Sequence, residues 1–153
     1  MVQAIKNPRT NRKKRVVVGG TFETLHAGHR ALLKKAFDLG QVFIGLTSDK
    51  MAQRAKRRKI KSFLSRKKAL RGLIKKEFKA KPEIRKIENK FGFTLKEDYD
   101  YIVVSPETYK TALLINKERR KKNRKPIKIF KIKFVLAKDG NTLSSTGILN
   151  GEI

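Results

Sequence analysis

Val16-Val17-Val18 runs into Gly19-Gly20-Thr21-Phe22 and then into a helical pattern, and this order of apolar strand, glycine turn and helix leaves few folds open. It is the layout with which α/β proteins hold phosphate: the helix start offers unpaired backbone N–H groups and the positive end of its dipole to an anion. The only two histidines of the chain fall in that turn, in His26-Ala27-Gly28-His29. At positions i and i+3 they project from one face of the first helical turn, where both imidazoles can donate to the same phosphates. Gly28 between them lets a nucleotide approach the backbone closely. The plain alternative is a turn followed by two surface histidines.

Further along, short apolar runs alternate with amphipathic stretches. Residues 1 to 13 are basic, include Pro8 and predict a flexible extension. Strands are predicted at Arg15 to Val18, Gln41 to Leu46, Pro82 to Ile87, Tyr101 to Val104 and Ile127 to Leu136, the last as an edge with one wet face marked by alternating lysines. Leu25, Leu32, Leu33, Ala36, Phe37 and Leu39 recur at helical spacing, and Gly40 stands where a cap belongs. A second helix carries Ala69, Leu70, Leu73, Ile74 and Phe78 with Ser65 as its N-cap. A third opens at Ser105-Pro106-Glu107 and carries Ala112, Leu113 and Ile115. Between Asp49 and Lys61 the chain is strongly basic with little apolar periodicity, and a mobile loop is expected. Strands alternating with helices predict an α/β fold of the doubly wound, Rossmann-like class: a parallel sheet of about five strands with helices on both faces, forming one domain over residues 14 to 153.

The 153 residues include 40 Lys or Arg against 13 Asp or Glu, a formal net charge of +27. Such a charge suits an anionic partner: nucleic acid, membrane headgroups or a polyphosphate. It is concentrated in residues 1 to 15, 50 to 81 and 117 to 133, which hold 31 of the 40 basic residues. The runs near Lys56 to Lys61 and Arg119 to Lys125 contain few aromatics for base stacking, which argues against a nucleic-acid-binding role. Lysine-rich, cysteine-free composition is also a habit of hyperthermophilic proteins. The absence of cysteine removes disulfides, thiolate metal sites and cysteine nucleophiles, and two histidines alone cannot build a zinc site. No apolar run approaches the roughly 18 residues of a membrane span, and the basic N-terminal segment lacks an apolar h-region, so a cytoplasmic protein is expected.

Near the C-terminus, after Lys138-Asp139-Gly140-Asn141, stands Leu143-Ser144-Ser145-Thr146-Gly147-Ile148. Three consecutive hydroxyl residues before an apolar pair are good N-cap residues and can also offer hydroxyl and backbone donors to an anion. Taken alone the trio fits ordinary capping. Taken with the histidine turn it gains meaning, because in a parallel sheet both helix starts lie at the carboxyl edge of the strands, where such folds bind ligands.

Gly19-Gly20-Thr21-Phe22-Glu23-Thr24-Leu25-His26-Ala27-Gly28-His29, Ile44-Gly45-Leu46-Thr47-Ser48-Asp49, Ile102-Val103-Val104-Ser105-Pro106-Glu107-Thr108 and Ser144-Ser145-Thr146 closely resemble, in that order, the archaeal-type phosphopantetheine adenylyltransferases. These belong to the HxGH nucleotidylyltransferase superfamily. The resemblance runs from about Arg15 to the end. It implies transfer of AMP from ATP to 4′-phosphopantetheine, giving dephospho-coenzyme A and pyrophosphate in coenzyme A biosynthesis, with Mg²⁺ accompanying ATP. It implies His26, His29 and Thr21 as catalytic residues and Gly19, Gly20, Phe22, Gly28, Ser105, Glu107, Ser144, Ser145 and Thr146 around ATP, with Asn116 and Arg119 either beside the adenosine or on a solvated helix face. Lys50 and Lys59 are expected at the acceptor phosphate. No protein metal ligand, membrane or nucleic acid is required, and a monomer is the simplest assembly. Two departures stand out: Glu23 where the family usually has Asp, and Gly147 where an arginine commonly follows Ser-Ser-Thr. The same triphosphate machinery would also suit a nicotinamide-nucleotide adenylyltransferase or a cytidylyltransferase, from which only the acceptor pocket separates it.

Overall fold

The computed structural model describes residues 13–56 and 59–133. The Ser144–Thr146 trio, Gly147 and most of the basic N-terminal segment lie outside the described residues. Five strands form one parallel sheet: β1 Arg15–Gly20, β2 Gln41–Thr47, β3 Glu83–Ile87, β4 Tyr101–Val104 and β5 Lys128–Lys131, in the spatial order β3-β2-β1-β4-β5. The helices between them are α1 Ala27–Leu39, α2 Asp49–Lys56, α3 Phe63–Phe78 and α4 Tyr109–Lys121. The order reverses at β1, so the crevice at its carboxyl end is the switch point at which sheets of this kind bind ligands. The expected doubly wound class holds.

Alternation along the strands divides the core in two. Val16, Val18, Ile44, Leu46, Ile84 and Val103 face α1 and α3, meeting Leu32, Leu33, Ala36, Leu70 and Ile74. Val17, Phe43, Ile102 and Val104 point the other way and pack under Ala112 and Ile115 of α4, with Tyr99 and Ile127 closing that layer. Gly40 does end α1, but room rather than a left-handed backbone is what it supplies: any Cβ there would run into the Lys14 carbonyl, which Gln41 N–H pairs with to start β2.

Three expectations need correction. Asp49–Lys56 is a helix, not a loop: Ser48 Oγ accepts from the Met51 N–H at 3.1 Å, Asp49 adds an acid to the first turn, and Ala52 is fully buried. Its apolar face is only Met51, Ala52 and Ala55, too narrow to read as a period among so many cations. Next, α3 begins three residues early, capped by Ser62, whose Oγ accepts from the Ser65 N–H, with Phe63 buried. Finally, Ser105–Thr108 is a separate turn, and α4 starts only at Tyr109. Among the described residues no helix is long and apolar enough to cross a membrane.

Candidate active site

The loop after β1 turns sharply. Phe22 takes a left-handed backbone, φ 48°, a strained conformation for a residue of its size. The consequence is that Thr21 faces the crevice while the Phe22 ring goes to the opposite side of the sheet, 1% exposed and 5.0 Å from the His29 ring. Gly20 has to be glycine beneath it, since a Cβ would come within 2.9 Å of the Phe22 ring.

His26 is the N-cap of α1. Its Nδ1 accepts from the Gly28 N–H at 3.0 Å, while His29 Nδ1 accepts from the His26 N–H at 3.3 Å, a capping box made by two imidazoles. The first backbone donors of the helix are therefore taken up by the histidines themselves. The Gly28 N–H is thus spent on His26 Nδ1 and is not bare as the helix start alone suggests. With Nδ1 accepting, the proton of each neutral ring sits on Nε2. The rings lie 4.0 Å apart, tilted by 34°. His26 Nε2 is buried and has no hydrogen-bond partner. Burial, and then the charge of Arg30, hold the His26 pKa below its ordinary value, which keeps the ring neutral. A buried N–H without an acceptor is costly unless an anionic ligand provides one.

Behind Thr21 lies a residue that sequence reading left among the surface charges. Arg66 of α3 is 1% exposed, and its guanidinium donates to Lys61 O at 2.9 Å, Thr21 O at 3.1 Å, Thr47 Oγ1 at 3.2 Å and Asp49 Oδ1 at 3.0 Å. It ties together the β1 turn, the end of β2, the start of α2 and the segment before α3. Glu23 grips the same segment from the other side, its Oε2 accepting from the Lys61 N–H at 3.1 Å. The longer arm of Glu23 is thus engaged in anchoring Lys61, and the backbone there is fixed rather than loose.

Beside this turn a cleft of about 360 Å³ opens on the α4 side of the sheet. Gly19 and Gly45 leave it unfilled where Val17 and Phe43, two residues earlier on the same face, fill the core. Thr21, Thr47, Met51, Ile87, Phe91 and Phe93 line it, with Lys90 as the one lysine among its walls. It is mainly apolar, with threonine hydroxyls among its walls, the make-up of a site for a ligand with a greasy arm and a polar head.

Of the predicted residues, Gly19, Gly20, Thr21 and Glu107 line the cleft. Ser105 is 1% exposed within its turn, where its N–H donates to Thr108 Oγ1. Lys50 and Lys59 are exposed and outside the cleft lining. Asn116 and Arg119 belong neither to a nucleotide pocket nor to a wet helix face: Asn116 pairs with both the N–H and the C=O of Ile127, and Arg119, buried, donates to Thr94 O, Glu97 O, Lys125 O and Asp98. Both pin loops onto α4. Nothing in the sequence separates Arg66 and Arg119 from the lysines around them except the apolar stripe of the helix on which each falls. Among the described residues no group of three His, Asp or Glu side chains could hold a metal ion.

Residues 17–151 match the cytidylyltransferase-like family model. The phosphopantetheine adenylyltransferase of Methanosarcina mazei is 46% identical over 144 residues, covering 91% of this chain and 92% of the relative. That of Archaeoglobus fulgidus is 44% identical over 141 residues, covering 91% and 95%. A crystal structure of an Archaeoglobus fulgidus protein described as of unknown function superposes with a TM-score of 0.74 at 42% identity, covering 77% of this chain and 88% of that one. The chain belongs to the cytidylyltransferase-like family and, within it, to the archaeal phosphopantetheine adenylyltransferases.

Proposed function

We propose that this protein transfers the adenylyl group of ATP to the phosphate of 4′-phosphopantetheine, forming dephospho-coenzyme A and pyrophosphate. The observation that carries the reading is the paired imidazole cap of α1, with the His26 Nε2 buried and unmatched, on the same loop as Thr21, which lines an apolar cleft. An oxygen of the acceptor phosphate attacks the α-phosphorus. A new P–O bond forms as the bond from that phosphorus to the bridging oxygen breaks, and the electron pair leaves with pyrophosphate. No protein nucleophile is involved.

What the chain supplies is position and electrostatics. His26 and His29 donate from Nε2 to triphosphate oxygens as negative charge builds on the leaving group. Thr21 holds the acceptor phosphate and the α-phosphate in register. Ser144, Ser145 and Thr146 are proposed on the β- and γ-phosphates, and Lys50 and Lys59 toward the acceptor phosphate, with Lys90 as a further cation from the cleft wall. Mg²⁺ arrives with ATP as part of the substrate, held by phosphates and water. The cleft supports pantetheine over a second nucleotide as the acceptor: Met51, Ile87, Phe91 and Phe93 suit a flexible, mainly apolar arm. Both substrates are water-soluble, which fits work in the cytoplasm.

The test is direct. Purified protein with Mg·ATP and 4′-phosphopantetheine should yield dephospho-coenzyme A and one equivalent of pyrophosphate, with nicotinamide mononucleotide as a parallel acceptor and CTP as a parallel donor. Turnover with nicotinamide mononucleotide and none with 4′-phosphopantetheine would replace this acceptor with the other.

A further inference from the structure

We propose that Arg66 and Thr47 fix the direction in which the Thr21 hydroxyl donates, so that its proton always faces the reacting phosphates; this rests on the function proposed above. The chain of donors is short. Arg66 Nη1 has two N–H groups, one directed at Thr21 O at 3.1 Å and the other at Thr47 Oγ1 at 3.2 Å. A hydroxyl oxygen that receives a hydrogen bond from a guanidinium must turn its own proton away from that charge. For Thr47 the partner on the far side is Thr21 Oγ1, to which it donates at 3.0 Å, and the contact is buried. Thr21 Oγ1 thereby becomes an acceptor on its protein side. Its single proton is left for the cleft, which both threonines line.

Without this relay the Thr21 hydroxyl could rotate to donate to Thr47 and present lone pairs to a phosphate, an arrangement that repels an anion. Arg66 is suited to the task because its other nitrogens are already engaged, by Lys61 O and Asp49, so the guanidinium cannot rotate. Thr47 and Arg66 are positioning residues: neither need touch substrate. Thr47 sits at the end of β2, whose backbone is locked by pairing with β1 and β3, so the oxygen it offers is fixed as well.

The experiment is a double-mutant cycle on Thr21 and Thr47, read by kcat and KM, with thermal melts confirming the fold. Thr47→Val keeps the shape and removes the relay; kcat is expected to fall about tenfold while KM for ATP stays within about twofold. Thr47→Ser, which keeps the hydroxyl, recovers most of the rate. The double variant Thr21→Val with Thr47→Val should be no slower than Thr21→Val alone, because Thr47 acts only through Thr21. Multiplicative losses, or a Thr47→Ser as slow as Thr47→Val, overturn the relay. Wild-type turnover by Thr21→Val overturns it together with the role given to Thr21. Should the wild-type protein form no dephospho-coenzyme A, calorimetric titration with inorganic phosphate, standing in for the acceptor phosphate, decides independently: weaker binding by Thr47→Val but not by Thr47→Ser supports the relay, and equal binding by all three ends it. If Thr47→Val does not fold, Thr47→Ala takes its place in the cycle.

Discussion

At the carboxyl edge of the sheet, the paired neighbours β1 and β4 each run through a turn toward a helix, and each side holds an arginine that is 1% exposed, Arg66 against the β1 turn and Arg119 against the segments that enter β4 and β5. The β4 turn closes on itself. The Ser105 N–H donates to Thr108 Oγ1 at 3.1 Å, the Thr108 N–H returns to Ser105 O at 3.1 Å, and Arg119 is spent on three backbone carbonyls and Asp98. The β1 turn is left open. Its helix is capped by imidazoles through Nδ1, which leaves the Nε2 donors over, and its arginine holds Thr21 and Thr47. A helix start at the edge of a parallel sheet is thus a place where an anion site can be built, and whether one exists depends on the donors that local capping leaves over.

The largest effect that separates the two sides is expected at Arg119. Arg119→Ala strands the carbonyls of Thr94, Glu97 and Lys125 and should cost about 3 kcal/mol or more of stability, read from the shift of a denaturant midpoint. The kcat per folded molecule should stay within about twofold. A tenfold fall in kcat per folded molecule would mean that the loops Arg119 holds take part in the chemistry and would break the comparison.

On the open side, His29→Ala should lower kcat by about a hundredfold with a smaller effect on KM for ATP, as loss of a transition-state donor does. Because His29 Nδ1 also accepts the His26 N–H, His29→Asn is the sharper variant: the amide oxygen can still close the cap, while the donor at the Nε2 position is gone. An equal loss in both assigns the effect to Nε2. Recovery in His29→Asn would make the residue a cap and nothing more.

These contrasts also mark how far a sequence can be read. The β1 turn was legible because its elements agree: an apolar run, glycines, a helical stripe and the only two histidines of the chain. The parallel sheet followed from alternation of strands and helices. What stayed hidden has a common cause in composition. With 40 basic residues, Arg66 and Arg119 look like solvated charge, and Lys50, Arg54 and Lys56 mask the three apolar residues that make α2 a helix. The capping role of the imidazoles was hidden for another reason. Ser, Thr, Asp and Asn are the residues expected to cap, so the histidines read as ligand donors alone, whereas Nδ1 serves the backbone and only Nε2 is left to donate.

A pH titration probes the open turn more gently. Burial and Arg30 lower the His26 pKa in the folded chain, whereas the unfolded chain takes up its proton near 6.5. Below that value the unfolded state binds more protons, so stability is full above about pH 6.5 and declines as the pH falls further. His26→Asn, which can still cap α1, should lose this part of the decline between pH 7 and 5.5 while the rest of the curve is kept. ATP should also reduce the decline in the wild-type protein, since phosphate beside Nε2 favours the protonated ring. If the wild type and His26→Asn follow the same curve with and without ATP, His26 does not face the anion.

The smallest expected effect serves to keep the others interpretable. Lys79 caps the C-terminus of α3 in a left-handed conformation, φ 52°, and its side chain is exposed. Glycine takes that backbone without the clash a Cβ brings, so Lys79→Gly should stabilise the protein by about 0.5 to 1 kcal/mol, seen as a rise in Tm, with kcat unchanged. Placed behind Arg119→Ala, it should return part of the lost stability and leave kcat where it was. Placed behind His29→Ala, it should raise Tm by the same amount and recover none of the rate, because a missing donor is not restored by a firmer scaffold. If Lys79→Gly instead restored turnover to His29→Ala, the loss there would have been one of folding, and the open turn would differ from the closed one only in how tightly it is held.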